Sequence, residues 1–142
     1  MANCKMTTNS NLDIEAKVIE RFVIKTKRER YLTFIKNGKT REKFINDLHH
    51  MNFLQQDLFD KVSGNEFEVI KERIKSLGNL KDCYLVSDNP RLDKKRLDID
   101  TALRETIGAD SGTLIVFGDA EILYSEAEGF NNRLISKPTK FK

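Results

Sequence analysis

Apolar residues recur at steps of three and four positions in the early part of the chain, between Asn11 and Lys36. This spacing places them on one face of an α-helix, so the pattern predicts a helix over this range. We expect the helix to end at Asn37-Gly38, because a glycine after the last turn adopts the left-handed conformation without a Cβ penalty. The residues predicted to face the core are Ile14, Val18, Phe22, Ile24, Tyr31 and Ile35.

Shorter helical patterns follow in the next part of the chain. Thr40 can cap a second helix, which turns Phe44, Ile45 and Leu48 inward. The apolar spacing within residues 55–62 predicts a further short helix.

A longer helix is predicted to begin at Asn65, since Glu68 lies three residues later at the spacing of a capping box. Gly78 is expected to end this helix. Its inward residues are Phe67, Ile70, Ile74 and Leu77. The first half of the chain is therefore predicted to hold three to four helices.

The pattern changes to β-strand at Cys83–Ser87, an apolar run that ends at the turn-forming residues Asp88-Asn89-Pro90. We interpret Arg91–Arg96 as a charged loop. Asp98 or Asp100 is then expected to cap another helix. The inward residues of that helix are Ile99, Ala102, Leu103 and Ile107.

Two β-prone runs separated by Gly118-Asp119 predict a tight hairpin with a two-residue loop. The runs are Thr113–Phe117 and Ala120–Tyr124, and Arg133–Ser136 is predicted to be the last strand. A two-residue loop would pair Phe117 with Ala120, Ile115 with Ile122, and Thr113 with Tyr124.

These elements predict an α+β fold, in which a helical N-terminal half packs on a small mixed β-sheet and the C-terminal half runs β-α-β-hairpin-β. The sheet is predicted to be mixed because a helix between Cys83–Ser87 and Thr113–Phe117 allows a crossover that makes these strands parallel. We expect a flexible N-terminus at residues 1–10, a single domain over residues 11–137 and a C-terminal tail at residues 138–142.

Composition agrees with one charged, soluble domain. The chain has 142 residues, 39% of them hydrophobic and 33% charged, and its longest apolar runs are too short to cross a membrane. The first residues lack the apolar core of a secretory leader, so we expect a cytoplasmic location. Cys4 and Cys83 are the two cysteines, and Cys83 is predicted to be a buried free thiol because it opens an apolar run.

Positive charge is concentrated between Lys25 and Lys43, where eight basic residues accompany only two acidic ones. With the apolar side of this segment turned to the core, Lys27, Arg30 and Arg41 are predicted to form an outward basic patch. Such a patch attracts nucleic acid or an acidic protein. The favoured hypothesis is thus a non-catalytic binding or regulatory module that uses this helical face.

Two other functions stay open at this point. Asp47 and His50 lie three residues apart on one predicted helix and, with Asp98 and Asp100, are the candidate site of a metal-dependent phosphoester hydrolase. A helix end and a helix cap explain the same residues more simply. The sequence has no metal-ligand spacing and no cofactor-binding motif, so we assign no metal and no cofactor. The third hypothesis is a homo-oligomeric structural subunit.

Overall fold

A computed structural model describes residues 2–49, 52–62, 67–77, 82–107, 112–127 and 133–137. Within these ranges the chain forms five α-helices and one six-stranded sheet. Three helices precede every strand, and most of the strands lie in the C-terminal half. The predicted α+β class is therefore confirmed.

The helices are α1 (Ala2–Phe22), α2 (Lys25–Phe34), α3 (Gly38–Asn46), α4 (Phe67–Leu77) and α5 (Ile99–Thr106). The strands are β1 (Phe59–Lys61), β2 (Asp82–Ser87), β3 (Arg96–Asp98), β4 (Thr113–Phe117), β5 (Ile122–Glu126) and β6 (Arg133–Ser136). Short 3₁₀ turns occur at Asp47–His49 and Gln56–Leu58. No described helix is long and apolar enough to span a lipid bilayer.

The strands lie in the order β1-β6-β5-β4-β2-β3, and every neighbouring pair is antiparallel. The prediction of a mixed sheet is wrong because the segment before α5 is not simply a loop. Arg96–Asp98 instead forms β3, which returns the chain alongside β2. The helical crossover through α5 therefore joins β3 to β4, and β4 runs antiparallel to β2.

The β4–β5 hairpin has the predicted faces but not the predicted register. Phe117 pairs with Ile122 and Ile115 with Tyr124, so residues 118–121 form a four-residue loop. Gly118 and Ala120 both have φ near +60°, and the Ala120 side chain is buried. A shift of two residues keeps Ile115, Ile122 and Tyr124 on one side of the sheet, because side chains alternate with a period of two.

Helices cover both faces of this sheet and create two hydrophobic cores. The first core packs α1, α2 and α3 against one face, and the second packs α4 and α5 against the other. Successive β4 residues alternate between them: Leu114 and Val116 enter the first core, and Ile115 and Phe117 enter the second. A strand buried on both faces is apolar throughout, which explains the uninterrupted run in β4.

The helix predicted between Asn11 and Lys36 is two helices, with a break at Val23 and Ile24. The break is caused by a distant segment: Val23 forms an isolated β-bridge with Leu54, and the Ile24 amide donates to the Phe53 carbonyl. Hydrophobic spacing continues across the break, so the local pattern alone gives no sign of it.

The boundary between α2 and α3 falls close to its predicted place but has a different cause. Asn37 is the N-cap of α3, and its side-chain oxygen accepts a hydrogen bond from the Lys39 amide. Gly38 is the first residue of α3 and is not among the residues with positive φ. Our assignments of Gly38 as a left-handed helix stop and of Thr40 as the cap are therefore wrong. Asparagine side chains are among the best N-caps, and Asn37 caps α3 three residues before the predicted cap, Thr40.

Several other predicted elements have definite outcomes. The helix over Phe67–Leu77 and the strand through Cys83–Ser87 are confirmed, and Asp98 is the N-cap of α5. Residues 55–62 do not form one helix, since a single 3₁₀ turn leads into β1. The predicted roles of His50, Asn65 and Gly78, and the C-terminal tail at residues 138–142, lie outside the described residues.

Candidate functional site

An aromatic cluster fixes α2 and α3 against the first core. The ring of Tyr31 lies 5.0 Å from that of Phe44 and 5.4 Å from that of Phe53, between ring centroids. The Tyr31 hydroxyl also donates a 2.6 Å hydrogen bond to Asp47. Burial and this hydrogen bond together raise the pKa of Tyr31. With these side chains turned inward, the opposite sides of both helices face solvent.

The solvent side of α2 and α3 carries the basic charge that the sequence concentrates there. Lys27 is half-buried, and five further cations are exposed: Lys25, Arg30, Lys36, Lys39 and Lys43. We define the basic face as Lys25, Lys27, Arg30, Lys36, Lys39 and Lys43. None of the six forms an ion pair within the described part of the chain. The acidic residues on these two helices are Glu29 and Glu42, so the face has a large positive excess.

Arg28 lies in the same basic segment but has a structural role. Its Nε donates to the Val23 carbonyl at 2.8 Å, and its guanidinium also contacts Gln55. Arg28 thus satisfies a carbonyl at the break between α1 and α2. For this reason we do not include it in the basic face.

Arg41 does not face outward, so its predicted place in the patch is wrong. The residue is 7% exposed, and its guanidinium lies between two carboxylates. Nε and Nη2 donate to the two oxygens of Glu15 at 3.0 and 2.8 Å, and Nη1 and Nη2 donate to Asp93 at 2.6 and 2.9 Å. Arg41 lies three residues before Phe44 and four before Ile45, so helical spacing places it on the inward side of α3, and the two bidentate carboxylates there compensate for burying its charge.

The same cluster reaches the sheet through Tyr84, whose hydroxyl donates to Glu15 at 2.6 Å. Burial raises the pKa of Tyr84, and the negative charge of Glu15 adds to the shift. Burial alone would lower the pKa of Arg41, but the hydrogen bonds to Asp93 and Glu15 outweigh it and raise that pKa. The guanidinium therefore stays charged and links α1, α3 and the segment after β2.

A cleft with a volume of about 360 Å³ lies directly beside this cluster. One wall is α3, and the other is the segment that joins β2 to β3. The lining residues are Arg41, Glu42, Ile45, Asn46, Ser87, Asp88, Pro90 and Asp93. Because Arg41 already holds two carboxylates, its charge is neutralised, and it is not a free cation for a ligand.

The segment between β2 and β3 is ordered by its own hydrogen bonds. The Leu85 amide donates to the Lys95 carbonyl, and the Lys94 amide donates to the Leu85 carbonyl. Lys94 and Lys95 thus both lie opposite Leu85, as in a β-bulge. Lys94 has a φ angle of 67°. We define the basic loop as Arg91, Lys94 and Lys95, which are exposed and form no ion pair with any described residue.

The carboxylates of the alternative hydrolase site have separate structural partners. Asp47 accepts the hydrogen bond from Tyr31, Asp98 caps α5 through Thr101, and Asp100 forms a 2.8 Å ion pair with Lys71. The hydrogen bonds from Thr101 lower the pKa of Asp98. His50 lies outside the described residues. In the part of the chain that is described, no three metal-ligating side chains come together.

Cys83 is buried, as predicted, and is not in a disulfide. Its Sγ donates a weak hydrogen bond to the Leu97 carbonyl. Burial raises the pKa of this thiol to about 12. A thiol that stays protonated at neutral pH is a poor nucleophile, which supports a structural role for Cys83.

Sequence reasoning missed Glu15, Tyr84 and Asp93, the partners of the Arg41 cluster. Glu15 gave one usable signal, because it lies four residues before Ile19 and so on the apolar side of its own helix. A carboxylate in that position needs a buried partner. The sequence does not identify that partner, because Arg41 lies 26 residues later on a different helix and local spacing does not relate the two positions.

The fold and site together define an α+β protein with an antiparallel sheet between two helical layers and an exposed basic face. Comparison with known proteins gives no match to a protein family model, to a curated protein or to a solved structure.

Proposed function

We propose that this protein is a non-catalytic binding module whose basic face binds a polyanion, either a nucleic acid or an acidic protein. The proposal depends on one observation: the six cations of the basic face lie on α2, on α3 and on the turn between them, and none forms an ion pair in the described structure. Unpaired surface cations of one sign create a field that attracts and orients a polyanion.

The character of the basic face favours nucleic acid over an acidic protein. Protein interfaces normally contain a buried apolar centre. Among the described residues, the exposed large apolar side chain is Val69, which lies on α4 at the opposite side of the sheet. Five of the six cations on the basic face are lysines, whose point charges suit phosphates without base-specific geometry. We therefore propose that this face contacts the phosphodiester backbone.

A salt titration with charge-neutralised variants tests this proposal. The test variant carries Lys25→Gln, Arg30→Gln and Lys39→Gln. The control carries Lys61→Gln, Lys75→Gln and Lys137→Gln, three exposed cations outside the basic face with the same change in net charge. Affinity for a short mixed-sequence DNA duplex is measured between about 50 and about 200 mM salt.

We expect the test variant to bind more weakly and to show a shallower dependence of affinity on salt. The slope of log affinity against log salt falls by about 0.9 for each lost phosphate contact. The control should match the wild type. Undetectable or salt-insensitive DNA binding by the wild type would contradict nucleic-acid binding, and binding to polyglutamate alone would then favour an acidic protein.

The location of this binding is a separate proposal. The buried free thiol of Cys83 is consistent with a reducing compartment, and we propose the cytoplasm.

A further inference from the structure

We infer that the nucleic-acid-binding surface continues from the basic face across the cleft onto the basic loop, so that Arg91, Lys94 and Lys95 contact the same phosphodiester backbone. This inference rests on the proposed function, and it adds a second contact element that the sequence alone indicates only as a charged loop. It is carried by three features: charge, position and rigidity.

Charge is the first feature. The segment between β2 and β3 also contains the acidic residues Asp88 and Asp93, which would neutralise it if they were free. Asp93 is bound to Arg41, and Asp88 accepts a hydrogen bond from the Gly112 amide. Asp93 is thus compensated by Arg41, whereas an amide donor does not cancel the charge of Asp88, and the three exposed cations of the basic loop outnumber that one carboxylate. The outward charge of the loop is therefore positive.

Position is the second feature. Arg41 follows Lys39 of the basic face by two residues, and Asp93 directly precedes Lys94 of the basic loop. The 2.6 Å contact between Arg41 and Asp93 therefore joins α3 to the segment that carries the basic loop. The cleft lies between them, with α3 as one wall and the loop as the other. Because Glu42 and Asp88 line the cleft, a polyanion would contact the cations on its two sides and span the cleft itself.

Rigidity is the third feature. Asp93 accepts from Arg41 and from the Ser87 amide, and the Ser87 hydroxyl in turn contacts Thr113 and accepts from the Asn89 amide. The bulge at Lys94 adds two backbone hydrogen bonds to Leu85. A loop held in this way brings its cations to a ligand with little loss of conformational entropy on binding. Arg41, predicted to be a ligand-binding residue, instead positions the loop that binds.

The test neutralises the basic loop alone. The loop variant carries Arg91→Gln, Lys94→Asn and Lys95→Gln, with asparagine at position 94 because it tolerates positive φ. The Lys61, Lys75 and Lys137 triple variant is again the control for net charge. Affinity for the DNA duplex is measured against salt, and stoichiometry is measured at saturating DNA. The same measurements are made with polyglutamate.

We expect the loop variant to lower the salt slope by about 0.9 for each phosphate contact removed, and the control to leave it unchanged. We also expect one duplex to bind per protein, because the two basic elements form one surface. A loop variant that equals the wild type, while the Lys25, Arg30 and Lys39 variant binds weakly, would overturn this inference and leave the proposed function intact.

Three other results would also overturn it. An equal loss in the control would show that only net charge matters. Two duplexes per protein would show two separate surfaces. A loss of polyglutamate binding without a loss of DNA binding would assign the loop to an acidic protein. If the wild type does not bind DNA at all, the inference and the nucleic-acid proposal fail together.

Discussion

Two buried glutamates in this protein have matching surroundings on opposite faces of the sheet. Glu15 accepts hydrogen bonds from Tyr84 and Arg41, and Glu126 accepts them from Tyr124 and Arg133. Tyr84 belongs to the first core and Tyr124 to the second. Each carboxylate thus has one neutral and one charged donor, which compensates for the cost of removing it from water.

Arg41 offers the clearest test at this scale. We expect Arg41→Met to lower the free energy of unfolding by about 3 kcal/mol or more, because it leaves the buried Glu15 carboxylate without its cation. Arg30→Met makes the same chemical change on the exposed side of α2, and it should change stability by less than about 0.5 kcal/mol. Urea denaturation of both variants measures the difference. Equal midpoints would contradict a stabilising role for the buried cluster.

At the scale of secondary-structure elements, one close backbone approach fixes how α3 meets the sheet. Gly112 precedes β4 and lies against Leu48, at the turn that follows α3. A Cβ at position 112 would overlap the Leu48 carbonyl and lie 2.7 Å from the Leu48 Cβ. Only glycine allows this separation. The Gly112 amide and carbonyl also exchange hydrogen bonds with Asp88, so the same glycine joins β4 to the start of the segment between β2 and β3.

Gly112→Ala is therefore expected to destabilise the protein by about 2 kcal/mol, because backbone atoms must move to admit the methyl group. Gly38→Ala is the matched control. A Cβ at position 38 would meet no heavy atom within 4 Å, and the residue begins a helix, so alanine there should be neutral or slightly stabilising. Thermal unfolding of the two variants measures both effects. A Gly112→Ala protein as stable as the wild type would rule out the close approach.

The elements that could be predicted from the sequence are those whose evidence is local. The helix over Phe67–Leu77 shows a helical period and the strand Thr113–Phe117 is a short β-prone apolar run, and the structure has both. The helix break at Val23 could not be predicted, because it depends on a bridge to the distant Leu54. Strand β3 could not be predicted either, because three residues are too few to show a strand pattern. The candidate site divides in the same way. Exposure of Arg30 follows from helical spacing, whereas Asp93, which compensates the buried charge of Arg41, lies 52 residues away and could not be predicted.

At the scale of the whole molecule, both cores contain acids that lose their protons only in strongly alkaline solution. Burial raises the pKa of Cys83 to about 12 and also raises the pKa values of Tyr31, Tyr84 and Tyr124. In the unfolded chain these groups ionise at their ordinary values, near 9 for the thiol and 10 for the phenols. Between the two values the unfolded state loses protons that the folded state keeps, so rising pH favours unfolding.

We therefore expect the urea midpoint to be steady up to about pH 8 and to fall as the pH rises toward about 10. The stability from these groups is fully present below their unfolded pKa values and is lost above them. Cys83→Ala removes the first group to ionise, so its midpoint should fall less steeply over the same range. A wild-type midpoint that stays constant or rises between these pH values would contradict the burial of these acids.

The strand order also determines when this protein can fold during its synthesis on the ribosome. The first three helices emerge first, but the sheet residues that cover their apolar side come from β2, β4 and β5, which are made much later. The edge strand β1 can join the sheet only later still, because its partner β6 is the last of the described strands to be made. A nascent chain that ends before β4 exposes the inner side of α1, α2 and α3. Folding of this domain is thus completed only after β6 has been made, and until then its helical half presents an exposed apolar surface.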